Sequence, residues 1–214
     1  LIGRLTHAVA IATGLAEEQD GREPAGLEAA SRIHEQLDEP ILWFRPDDQA
    51  WGIKAINACF KGVKRAKKAL HVCQGNYNPD PTAHRGLRIF PSEFTAILPV
   101  MQGAQVDMVL MAFAGLKEQD ISALKHFPKD KTLGVGAIDV QDHRVETPAQ
   151  VARTIRRAME YVPARRLFVC PDCGLNHLPR PVAFGKLQAM VKGAAMRSGT
   201  SSTTSSGMTR LAHI

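Results

Sequence analysis

The chain has 214 residues, 44% of them hydrophobic, enough to bury the core of one domain or a large part of one. A formal charge of +6 and a pI near 9.3 would permit an acidic partner. Four cysteines are too few for a disulfide framework at this length, and no apolar run is long enough to span a membrane, so a reducing compartment, the cytoplasm, is expected.

Residues 1–32 read as helix and loop. Residues 8–16 after Arg4 faintly resemble a signal-peptide core, but His7 and the Glu17–Glu18 pair favour a helix fragment. The stretch 17–26 is polar, carries glycine and proline, and offers no strand. The chain begins at Leu1 rather than Met, which sets the expectation that its natural start lies upstream.

From residue 33 the pattern alternates. Strand-like runs fall at 33–38, 69–73, 106–113, 133–139 and 166–170, each followed by a helical stretch at about 48–66, 91–102, 118–126, 148–161 and 182–195. In the first helix Trp51, Ala55, Ile56, Cys59, Phe60 and Val63 make an apolar stripe, which places Cys59 in the core. Opposite lie Lys61, Lys64, Arg65, Lys67 and Lys68, with no aromatic residues between them for base stacking. These basic residues are expected to be the solvated face of an amphipathic helix, and no nucleic-acid partner is expected. The helix at 148–161 starts with a capping box of Thr147 and Gln150 around Pro148, and its apolar face is Val151, Ile155, Met159 and Val162. Residues 198–207 are too rich in serine, threonine and glycine to pack, so 197–214 is expected to be a disordered tail.

Five successive βα units imply an α/β fold with a parallel sheet and right-handed crossovers. Five are too few to close an eight-stranded barrel of about 250 residues. Either an open sheet or the later part of a barrel would satisfy the pattern.

Chemistry-bearing residues gather at one end of these units. Asp38 ends the first strand, His71 and Cys73 the second and Asp139 the fourth, while Cys173 follows the fifth by three residues. Carboxyl ends of parallel strands share one rim, where active sites form. His71 and Cys73, one residue apart on a strand, face the same side. One imidazole and two thiolates suit zinc, and three protein ligands leave a fourth position for a substrate. A lone His-x-Cys is also what a packed strand end contains. What favours a metal is Cys173 on the same rim. Cys170 and Cys173 form a Cys-x-x-Cys, but a redox motif normally opens a helix near the start of its domain. Here Pro171 and Asp172 lead into Gly174 and a loop punctuated by Pro179 and Pro181. A closed structural site of His71, Cys73, Cys170 and Cys173 remains the rival.

The stretches His71-Val72-Cys73-Gln74-Gly75-Asn76-Tyr77, Gly134-Val135-Gly136-Ala137-Ile138-Asp139-Val140 and Pro171-Asp172-Cys173-Gly174-Leu175 resemble the carboxyl-terminal catalytic domain of cobalamin-independent methionine synthases. Asp38-Glu39-Pro40 matches that family's Asp-Glu-Pro strand end. Asn176-His177-Leu178-Pro179-Arg180 and Phe184-Gly185-Lys186-Leu187 are closer to its shorter, single-barrel branch, which includes epoxyalkane:coenzyme M transferase-like proteins. The resemblance spans about residues 33–195 and implies a (β/α)8 TIM barrel, of which this chain would hold roughly the last five units. It divides the chain into an irregular remnant (1–32), a partial barrel (33–196) and a tail (197–214).

The resemblance also implies roles. His71, Cys73 and Cys173 match the family's zinc ligands, and Asp38 matches the carboxylate that holds the amino group of homocysteine. The family's glutamate ligand falls on Ala112, and the synthase's proton-donating histidine falls on Gln141, which cannot donate a catalytic proton. His143, two residues on, is the candidate substitute. The implied activity is zinc-dependent methyl or alkyl transfer to a thiol, from methyl-folate or another electrophile to a homocysteine-like acceptor. An epoxide:thiol alkyltransferase and a non-catalytic, degenerate zinc-binding fragment are the alternatives. Without the glutamate, a bound thiolate would carry less negative charge around it and be a duller nucleophile.

Overall fold

The computed structural model describes residues 34–38, 46–61, 63, 66–72, 94–114 and 118–196. The predicted remnant at 1–32, the tail at 197–214 and Cys73 lie outside the described residues. Among the described residues five strands run in chain order: β1 (His34–Asp38), β2 (Lys67–Val72), β3 (Met108–Ala112), β4 (Thr132–Gly136) and β5 (Leu167–Cys170). They form one sheet in the order β1-β2-β3-β4-β5, with every pairing parallel. The order never reverses, so the sheet lacks the switch point of a doubly wound fold and has the connectivity of a βα barrel. Four α-helices are present among the described residues: α1 (Gln49–Cys59), α2 (Phe94–Ile97), α3 (Pro148–Met159) and α4 (Arg180–Met196).

The predicted elements are in place, but several stop early. Leu98 donates its N–H to Phe94, and then Pro99, which has no N–H, ends α2; a 3-10 turn at Val100–Gly103 follows. The stretch expected to be helical at 118–126 is a 3-10 segment. The fourth strand stops at Gly136, three residues before Asp139. The helix α1 is also rotated from its expected orientation. Its buried side is Gly52, Ile53 and Ile56, continued by Phe60, whereas Trp51 is 56% exposed and Cys59 is exposed rather than core. Asn57 fixes this rotation, donating from Nδ2 to the carbonyl of Gly103 at 3.0 Å and accepting the N–H of Gln105 at 2.7 Å. The capping box at α3 forms as expected: Thr147 Oγ1 accepts the Gln150 N–H at 3.3 Å, and Gln150 Oε1 accepts the Thr147 N–H at 2.7 Å.

The main core lies between the sheet and its helices. Leu70, Val72, Val109, Met111, Leu133 and Val135 pack there with residues of α1, α2 and α3. A second cluster joins Ile138 and Val169 to Val151 and Ile155 of α3 and Met190 and Ala194 of α4.

At the amino end of the sheet, Asp107 stitches β2 to β3. Its carboxylate accepts the Lys68 N–H at 2.9 Å and the Lys67 ammonium at 3.1 Å, and its own N–H donates to Lys68 at 2.9 Å. Burial alone would raise its pKa, but the Lys68 N–H, then the Lys67 ammonium and the charge of Lys68, hold it below the usual carboxylate value. A depressed carboxyl contributes stability above its unfolded pKa and loses it as pH falls through the folded one. Wild type should therefore exceed Asp107→Asn in unfolding stability at neutral pH, with the gap closing below about pH 3.9. Denaturant unfolding at several pH values would measure it, and a gap independent of pH would contradict the assignment. The side chain is 41% exposed, so the ion pair with Lys67 is a minor part of the effect.

Candidate metal and thiol site

Strand alternation sorts the sheet into two faces. The rows Leu70–Val109–Leu133 and Val72–Met111–Val135 face the helices. The intervening residues take the other face: His71–Leu110–Gly134–Phe168 in one row, and Ala112–Gly136–Cys170 one step nearer the carboxyl ends. Gly134 leaves room for its neighbour, since an added methyl would lie 2.7 Å from Leu110 Cγ.

Asp38 is the last residue of β1 and the register partner of His71. His71 is next to last on β2 and buried. Cys173 follows β5 on the same carboxyl edge and is half-buried. Among the described residues no three His, Cys, Asp or Glu gather as a metal cluster. The two described members of the predicted zinc set nevertheless fit such a site: an imidazole on the non-helical face and a partly accessible thiol on the same edge, the donor types zinc prefers.

Cys170 differs. It is buried on the row with Ala112 and Gly136, and burial, followed by the nearby Asp172 carboxylate, pushes its thiol pKa well above the ordinary range. Cys170 is a buried packing residue.

Two carboxylate clasps order the rim loops. Asp172 is buried, and its Oδ1 accepts the N–H groups of both Phe113 and Ala114, each at 3.0 Å. After β4, Glu146 Oε1 accepts the Asp139 N–H at 2.9 Å, while both Glu146 oxygens accept from Lys186 Nζ at 3.0 and 2.9 Å. Asp139 Oδ1 in turn accepts the N–H of Gln141, which is fully buried. His177 Nε2 lies 2.8 Å from the carbonyl of Val140, and His143 sits half-buried in the same β4–α3 segment. Asp139 therefore reaches the rim through a pinned loop rather than from the strand itself.

Sequence reasoning assigned no role to Lys186, Glu146 or Asp172. A signal for the first was present: Lys186 stands on the stripe Ala189, Met190, Gly193 and Ala194 at helical spacing, where an unpaired lysine would be prohibitive.

The consecutive parallel strands and the polar carboxyl edge define an α/β protein of the TIM-barrel class, with five βα units among the described residues. Residues 22–196 match the family model described as the catalytic domain of cobalamin-independent synthase, and the chain belongs to that family. It is 36% identical over 167 residues to a methionine synthase of Saccharolobus islandicus (strain Y.G.57.14 / Yellowstone #1), covering 78% of this chain and 45% of the relative. The methionine synthase of Sulfurisphaera tokodaii is 35% identical over 168 residues, covering 78% and 43%. A solved B12-independent methionine synthase from Shewanella sp. W3-18-1, in complex with selenomethionine, superposes with a TM-score of 0.65 at 29% identity, covering 79% of this chain and 50% of that one. The chain thus spans less than half the length of these curated relatives.

Proposed function

We propose that the chain carries the thiol-activating side of a zinc-dependent alkyl transferase. The register pairing of Asp38 with His71, on the same sheet edge as Cys173, is the observation that supports this most directly. In this reading His71, Cys73 and Cys173 hold zinc, within a domain of residues 33–196. Bound there, zinc would lower the pKa of a substrate thiol so that it is nucleophilic at neutral pH. Asp38 orients the amino group of a homocysteine-like thiol. Sulfur attacks the donor carbon, the C–S bond forms, and the bond from that carbon to its nitrogen or oxygen leaving group breaks. The departing atom needs a proton. Gln141 cannot give one, and His143, two residues on, is the histidine proposed in its place.

The family membership and the selenomethionine carried by the Shewanella synthase support a homocysteine- or methionine-type ligand. Methyl-folate and an epoxide are the donor classes to test. Thioether formation from homocysteine by the zinc-loaded protein, followed by mass spectrometry, should depend on Asp38 and Cys173. Absence of thioether with either donor would overturn the catalytic reading. A second reading, a zinc-binding domain without catalysis, is favoured by one observation: the position of the family's glutamate is a buried alanine, Ala112. Stoichiometric zinc without thioether would support it.

A further inference from the structure

We propose, resting on the zinc reading above, that Asp172 is the positioning residue that fixes the Cys173 sulfur on the rim. The loop after β5 would otherwise be free to swing, since a residue three places past a strand has no ladder of its own. Here it is tied to β4, its neighbour in the sheet, and to the chain just past β3. The Ala137 N–H donates to the Cys170 carbonyl at 2.8 Å and the Asp172 N–H donates to the Ile138 carbonyl at 2.9 Å, which joins the loop to the end of β4. The Asp172 side chain then reaches past β4 to accept the Phe113 and Ala114 N–H groups beyond β3.

The seat for this carboxylate is formed by small residues. A methyl added to Gly136 would collide with Asp172 Oδ1 and lie 2.9 Å from Ala112 Cα. Asp172 is 1% exposed, and a carboxylate so deeply buried persists only with charge-assisted hydrogen bonds of this kind. The consequence falls on the next residue. With the Asp172 backbone and side chain both held, the Cys173 sulfur is left with few torsions to order when it meets a metal ion.

The test compares Asp172→Ala, Asp172→Asn and Gly136→Ala in the full chain. Zinc affinity is read by competition with a chromophoric chelator, Cys173 alkylation by iodoacetamide in metal-free protein, and folding by circular dichroism. Asp172→Ala should bind zinc about tenfold more weakly, as is usual for loss of a group that orients a ligand, and alkylate faster at Cys173. Asp172→Asn keeps a carbonyl oxygen for both N–H groups and should recover most of the affinity, whereas Gly136→Ala should mimic the alanine variant. Wild-type zinc affinity in folded Asp172→Ala would overturn the proposal. Should that variant fail to fold, wild-type affinity and alkylation in Gly136→Ala would overturn it instead. A wild-type chain that binds no zinc would overturn the zinc reading, and the clasp would then stand or fall on the alkylation rates alone.

Discussion

Purified protein should hold about one zinc per chain, lost in Cys73→Ser or Cys173→Ser and kept in Cys59→Ser. Cys59 is the last residue of α1 and exposed. Because α1 runs back to the start of β2, Cys59 belongs to the amino end of the sheet, opposite the rim. Cys170 gives the finer contrast. It is a buried strand residue in register with Gly136, whereas Cys173 lies beyond the strand end, so three protein ligands should suffice and Cys170→Ser should retain zinc. X-ray absorption at the zinc edge should then count two sulfurs at rest and three after homocysteine is added. Full occupancy in a Cys73→Ser, Cys173→Ser double variant would remove the site from this rim. Three sulfurs at rest, falling to two in Cys170→Ser, would mean a closed structural site instead.

Lys186→Met should destabilise the fold by about 3 kcal/mol, the lower end of what breaking a buried ion pair costs. The side chain of Lys186 is 0% exposed, and its ammonium donates to the Arg144 carbonyl at 2.6 Å as well as to both oxygens of Glu146. Removing it leaves the Glu146 carboxylate, only 14% exposed, with its charge uncompensated, and it loosens the loop that carries Asp139, Gln141 and His143. Adding Glu146→Gln to Lys186→Met should recover part of the loss, since the stranded charge goes with it. Urea unfolding of the two single variants and the double variant supplies the cycle. A loss below about 1 kcal/mol in Lys186→Met would show the pair to be solvated in solution.

The strand order and the carboxyl-edge placement of Asp38, His71 and Cys173 were legible because both depend on short-range signals. Alternating βα runs imply parallel strands, and parallel strands put their carboxyl ends together. The capping box at Thr147 was equally legible, being four adjacent residues whose hydrogen bonds are local. Element ends were harder. The α1 stripe misplaced Trp51 and Cys59 because two helix faces rotated by one residue have similar hydrophobicity, and the choice was made by Asn57 bonding to Gly103 and Gln105, far along the chain.

By itself, then, the sequence determined the α/β repeat, the shared edge of the candidate residues and the family to which they belong. Periodicity, caps and motif spacing are properties of neighbouring residues and survive without a fold. Only tertiary structure decided that Cys170 is a buried thiol, that Asp172 sits over Gly136, and that Lys186 of α4 meets Glu146 ahead of α3. Each of those outcomes turns on desolvation or on contact between residues distant in the chain. The energy of a buried charge is set by which partners the packing brings within hydrogen-bond reach.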